Sequence, residues 1–177
     1  YNTFPSKGVY ITPLYVTRIE DNQGNVLSEF TNRKKESISE QTAFLMANLM
    51  QGFVNQGTGN SLRSKYGLRG EIAGKTGTTN DQSDGWFIGY TPKLTAGVWV
   101  GAEDRQVHFE SLALGGGSNM ALPIWGLFMQ KVYNDPSIPI GLDDHFVPPL
   151  GWNMSFSCTG SEEDMTSGNA GGENFFE

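Results

Sequence analysis

The sequence predicts an α/β chain of the α+β type: an antiparallel sheet meander with helices packed against it. Three observations carry that expectation. Strand-like runs over residues 70–79, 84–91 and 95–101 are joined by connections too short for a parallel crossover, so they must be antiparallel neighbours. In the last run Ala96, Val98 and Val100 alternate with Gly97 and Trp99, the period of a half-buried strand. On either side, apolar residues recur at helical spacing: Leu45, Met46, Leu49, Met50, Phe53 and Val54 before, and Ile124, Trp125, Leu127, Phe128 and Val132 after.

Taken in order, the chain starts abruptly at Tyr1 with no initiator Met and reads as part of a longer one. Gly8 to Ile11 is a short strand closed by Pro13. Tyr15 to Glu20 and Asn25 to Phe30 form a hairpin around Asp21-Asn22-Gln23-Gly24, with Gly24 placed for a left-handed turn position. Residues 31–36 are polar and basic and read as a linker. Ser37 or Ser39 then caps a helix, with Glu40 three residues after Ser37 as a capping box. The apolar stripe of that helix is expected to be core. Gly52 weakens it by about 1 kcal/mol relative to Ala, and Gly57 and Gly59 end it. Asn60 to Arg69 reads as a polar connection.

Trp86-Phe87-Ile88, apolar without alternation, reads as a strand covered on both faces. Glu103 to Phe109 is a polar loop or strand extension. Gly115-Gly116-Gly117 reads as a flexible hinge; no Lys-Ser/Thr follows to make it a phosphate loop. The second helix runs from Ala121 or Leu122 to Tyr133, with Pro123 in its first turn. Phe146 to Leu150 is extended. Residues 159–177 are Gly, Ser, Asn and acid, the composition of a disordered tail. The expected organisation is a folded portion over 1–135, an extended segment over 136–158 and the tail over 159–177.

Composition narrows the partners. A net charge of -7 argues against a nucleic-acid partner or an anionic membrane surface. No apolar run is long enough to span a membrane. Cys158 is the only cysteine, so there is no internal disulfide. His108 and His145 stand apart and suggest no metal cluster.

The chemistry concentrates in Gly70 to Thr79. Ile72 and Ala73 suit a buried strand, but Lys75, Thr76, Gly77 and Thr78 bring a cation, two hydroxyls and a position without a side chain. An edge strand ending this way can pair with an extended peptide. Its hydroxyls can bond a carboxylate, and Lys75 can supply charge or a proton. Strict alternation puts Lys75 and Gly77 on one face and Thr76 and Thr78 on the other, so they converge only at a twisted, exposed edge.

A polar turn, Asn80 to Gly85, then leads into Trp86 to Pro92 and Val98-Trp99-Val100-Gly101. This run resembles the last sequence block of penicillin-binding transpeptidases, above all class A, bifunctional penicillin-binding proteins of the 1A type. There a Lys-Thr-Gly-Thr strand, an Asp-x-Trp-Phe strand and a Trp-Val-Gly strand follow in this order. The resemblance spans residues 1–135 and is most specific from Ala73 to Gly101. It implies part of the penicillin-binding, serine β-lactamase-like transpeptidase fold. It also implies a catalytic role for Lys75 in proton transfer, and substrate binding by Thr76, Gly77 and Thr78. In the family the hydroxyls matching Thr76 and Thr78 hold a carboxylate, and the N–H matching Thr78 joins the oxyanion hole.

The departure from the family is equally specific. Its Ser-x-x-Lys and Ser-x-Asn motifs lie upstream of Lys-Thr-Gly, and both read as missing from this chain. The resemblance therefore implies the C-terminal part of a D,D-transpeptidase whose acyl-serine lies upstream of this chain. The parent is expected to be a bacterial cell-wall transferase that cross-links peptidoglycan stem peptides and binds β-lactam antibiotics. It is expected to carry a glycosyltransferase as well. Its place would be the extracytoplasmic face of the cytoplasmic membrane, anchored through parts outside this chain, and it needs no metal or organic cofactor for this step. Two alternatives stay open: a serine β-lactamase or D,D-carboxypeptidase relative, and a non-catalytic peptide-binding or interaction module.

Overall fold

The computed structural model describes residues 1–153. Residues 154–177, which include Cys158 and the whole expected tail, lie outside the described residues. The first strands are β1 (Val9–Ile11), β2 (Arg18–Glu20), β3 (Val26–Glu29) and β4 (Lys34–Glu36). β2 and β3 form the expected hairpin. The Asp21 carboxylate accepts from the N–H groups of Gln23 and Asn25 at 2.8 and 2.9 Å, and Gly24 takes φ +86. The expected linker over 31–36 is instead partly a strand: β4 pairs antiparallel with β1, Tyr10 opposite Lys35. Polarity misled there, because an exposed two-stranded ribbon needs no apolar alternation.

Helix α1 (Glu40–Asn55) begins at Ser39, whose hydroxyl accepts from the Thr42 N–H at 3.1 Å. The Ser37–Glu40 capping box does not form; Glu40 is paired with Lys7 at 3.0 Å. The stripe expected to be core splits. Ala43, Ala47 and Val54 are buried, whereas Leu45 and Leu49 are exposed. Small alanines let α1 lie close to the sheet, so the helix turns this face inward and leaves the larger leucines outside. The polar connection after it hides a turn of helix, α2 (Ser61–Ser64), whose Leu62 is fully buried.

The sheet follows the expected meander: β5 (Ala73–Thr78), β6 (Asp84–Tyr90) and β7 (Thr95–Gly101), in spatial order β5-β6-β7 with both pairs antiparallel. Among the described residues, β5 has a strand neighbour on one side only. A single turn, α3 (Leu112–Gly115), leads into α4 (Gly117–Asn134), which packs across one face of the sheet. Here two expectations fail. Gly115 to Gly117 is no hinge but the buried junction of α3 and α4, and Pro123 lies inside the helix rather than in its first turn.

The main core joins Val54, Leu62, Ile72, Phe87, Leu122, Trp125 and Met129. Phe87 and Trp125 meet edge to face, ring centroids 5.3 Å apart. Gly89 makes room for this: a Cβ there would stand 2.7 Å from the Trp125 ring. The opposite sheet face is only partly covered. Tyr90 is buried with Ala47 and Ala73, but Trp86 is exposed, so β6 is not enclosed on both faces. The segment after α4 folds back and is tied down by Lys93–Asp144, 2.6 Å, and by Glu71, which accepts from the Phe146 N–H at 2.7 Å.

Candidate active site

β5 changes character along its length because its two ends meet different neighbours. Ala73 and Gly74 are buried, while Lys75, Gly77 and Thr78 are exposed and Thr76 is half-buried. The register places Lys75 opposite Ile88, Thr76 opposite Phe87, Gly77 opposite Trp86 and Thr78 opposite Gly85. Lys75 and Gly77 thus share the face of Trp86, and Thr76 and Thr78 share the face of the buried Phe87. The Lys75 ammonium lies 5.5 Å from the centre of the Phe53 ring of α1 and donates to the Thr76 carbonyl at 3.0 Å. Phe53 also stacks on Phe87 at 6.2 Å, so the end of α1 flanks the strand.

Thr78 points to the other helix. Its hydroxyl oxygen accepts the Gly117 N–H at 3.0 Å, at the first residue of α4. The side chains of Lys75 and Thr78 therefore engage different helices. The turn beyond is pinned by Thr79, whose hydroxyl accepts the Asp84 N–H at 3.0 Å and lies 3.0 Å from the Ser83 hydroxyl. The Asp84 Oδ1 atom is buried and has no hydrogen-bond partner among the described residues.

Gly77 is not required by its neighbours: a Cβ there would meet Trp86 at 3.4 Å, an ordinary contact. Gly117 is required. A Cβ on it would fall 2.5 Å from the Gly77 carbonyl oxygen and 2.6 Å from that of Trp86. Sequence reasoning missed Gly117 because three consecutive glycines look like a hinge. Among the described residues no group of three or more His, Cys, Asp or Glu side chains could hold a metal ion. None of the described helices is long and apolar enough to cross a membrane.

Residues 1–111 match the family model of the penicillin binding protein transpeptidase domain. The chain belongs to that family. Among curated relatives it is 33% identical over 132 residues to penicillin-binding protein 1A of Aquifex aeolicus, covering 75% of this chain and 17% of the relative. It is 36% identical over 127 residues to penicillin-binding protein 1A/1B of Bacillus subtilis, covering 64% and 14%. The chain thus spans under a fifth of the length of these transpeptidase-family relatives. Its fold is similar to that of penicillin-binding protein 1A from Haemophilus influenzae: TM-score 0.65 at 22% identity, covering 76% of this chain and 25% of that one. It is also similar to penicillin-binding protein A of M. tuberculosis in an imipenem acyl-enzyme complex. That match has TM-score 0.55 at 23% identity and covers 72% of this chain and 28% of that one. The penicillin-binding fold expected from the motifs is therefore the fold observed.

The family's nucleophile motif is absent: no serine in the full sequence has a lysine three residues on. A Ser-x-Asn does occur at Ser167-Gly168-Asn169, against the expectation that it is missing. It follows the Lys-Thr-Gly strand instead of preceding it and lies outside the described residues.

Proposed function

We propose that this chain supplies the substrate-recognition strand of a peptidoglycan D,D-transpeptidase of the class A type. The observation that carries the proposal is the open edge of β5, which ends in exposed Lys75, Gly77 and Thr78 beside the start of α4. A stem peptide lies extended along this edge and pairs with its backbone. Thr76 and Thr78 hydroxyls bond the terminal carboxylate of the peptide, or the carboxylate of a β-lactam that takes its place. Gly77 leaves the strand surface open to that close approach. The Thr78 N–H donates to the oxyanion that develops as the acyl bond is attacked. Lys75 adds positive field and assists proton transfer.

In this reading none of these groups serves as the nucleophile. In the complete protein the acyl bond forms on the serine of a Ser-x-x-Lys motif upstream of Tyr1. On this reading that protein is membrane-anchored, faces the outside of the cytoplasmic membrane and carries a glycosyltransferase too. Asp84-Gly85-Trp86-Phe87 favours a transpeptidase over a β-lactamase or carboxypeptidase relative. The absence of Ser-x-x-Lys keeps one other reading in play, a non-catalytic peptide-binding module.

Mass spectrometry of the isolated chain after penicillin treatment tests where the nucleophile lies. The expected spectrum is that of the unmodified chain. An added mass of one intact drug molecule, abolished by prior heat denaturation, contradicts an upstream nucleophile.

A further inference from the structure

We infer that Gly117 is a positioning residue for Thr78: its backbone N–H holds the Thr78 hydroxyl as an acceptor, so the hydroxyl proton is donated to the substrate carboxylate. This rests on the recognition role proposed above for β5 and names the part that gives one hydroxyl its direction.

A threonine hydroxyl has one proton and two lone pairs. A free, exposed hydroxyl rotates and can present either to a ligand. Only the proton can bond a carboxylate. The Gly117 N–H, 3.0 Å away, occupies a lone pair and leaves the proton available. That N–H needs an acceptor, because the first N–H groups of any helix have no partner within it. The N-cap of α4 is Gly116, which has no side chain to serve. Thr78, thirty-nine residues upstream, does what a capping side chain normally does. A hydroxyl that accepts one hydrogen bond becomes a better donor in the next.

The helix end is held in register by close backbone contact. Gly117 fits only without a Cβ, against the carbonyls of Gly77 and Trp86. Gly85, opposite Thr78 in the ladder, is crowded as well: a Cβ there would stand 2.8 Å from Met120 Cε and 3.0 Å from Gly117 Cα. Residues 77, 85 and 117 thus set the distance between the α4 amide and the Thr78 hydroxyl. Thr78→Val keeps the shape but loses both acceptor and donor; Thr78→Ser keeps both. Gly117→Ala pushes the helix end away and frees the hydroxyl to rotate.

The test has two arms. In the complete protein, acylation rates are compared for a dye-labelled penicillin and its methyl ester, which lacks the carboxylate. The ratio of the two rates should fall roughly 10- to 100-fold in Thr78→Val and Gly117→Ala, and stay near wild type in Thr78→Ser. A merely structural role slows both substrates alike and leaves the ratio unchanged; that result in folded Thr78→Val overturns the inference. If Gly117→Ala does not fold, the Val and Ser pair decides. On the isolated chain, the Gly117 amide should be protected from hydrogen exchange in wild type and Thr78→Ser, and unprotected in Thr78→Val. An unprotected amide in wild type overturns the inference whatever the acylation rates. A protected amide in a complete protein that penicillin never acylates removes the functional reading instead.

Discussion

On the α4 face of the sheet, Phe87 and Trp125 are fully buried and meet ring to ring, and Gly89 is reduced to hydrogen so that they can. On the opposite face, Trp86 and Trp99 lie 6.5 Å apart, and each is 46% exposed. Lys75 stands on that same exposed face. α1 repeats the contrast within one helix: Ala47 and Val54 are buried, while Leu49 on the other side is 70% exposed. One face is a completed core, whose residues answer to each other. The other carries large apolar side chains that stay half exposed and a cation held only by the Thr76 carbonyl and the Phe53 ring. Burial fixes the first face. The second leaves Trp86, Trp99 and Lys75 exposed.

The contrast makes graded predictions. Trp125→Ala removes the centre of the finished face and should lower stability by about 3–5 kcal/mol, read by urea denaturation. A loss below about 1 kcal/mol would mean that this face is no tighter than its opposite.

Tyr90 marks where the exposed face closes, against Ala47 and Phe146, with its hydroxyl 3.2 Å from Met50 Sδ. Burial raises its phenol pKa, and Tyr1 adds to the rise. The fold therefore favours the neutral phenol. That contribution is intact below the ordinary phenol pKa of about 10 and is lost as pH climbs above it. Melting temperatures between pH 8 and 11 should fall less steeply in Tyr90→Phe than in wild type. Tyr133, also raised by burial, keeps part of the slope.

Leu49→Lys sits at the other extreme. On a face that is exposed among the described residues it should change the stability of this chain by no more than about 0.5 kcal/mol. A large loss would show that the outer side of α1 is already part of a core.

The same contrast explains what could be read from the sequence. The meander was legible because short polar turns at 79–84 and 91–94 leave antiparallel pairing as the only option. The family was legible because Lys75 to Thr78 sit where a buried strand has no use for them. The orientation of α1 was not. Its leucines and methionines outweigh two alanines on any apolar count, yet Ala43 and Ala47 face inward because they let helix and strand approach. The glycines at 115–117 were misread for a related reason: a missing side chain signals freedom in a loop and enforced closeness in a packed site. Thr78 was singled out, but its partner on α4 was not, since thirty-nine residues separate them and only the fold joins them.

The central claim, that the end of β5 belongs to a transpeptidase active site, is tested most directly by the acylation rate of the complete protein with Lys75→Ala. A labelled penicillin should react roughly 100- to 1000-fold more slowly than with wild type, the usual cost of one well-placed electrostatic group, while the circular dichroism spectrum is unchanged. An unchanged rate in the folded variant takes this strand out of the active site and leaves the peptide-binding module as the better reading.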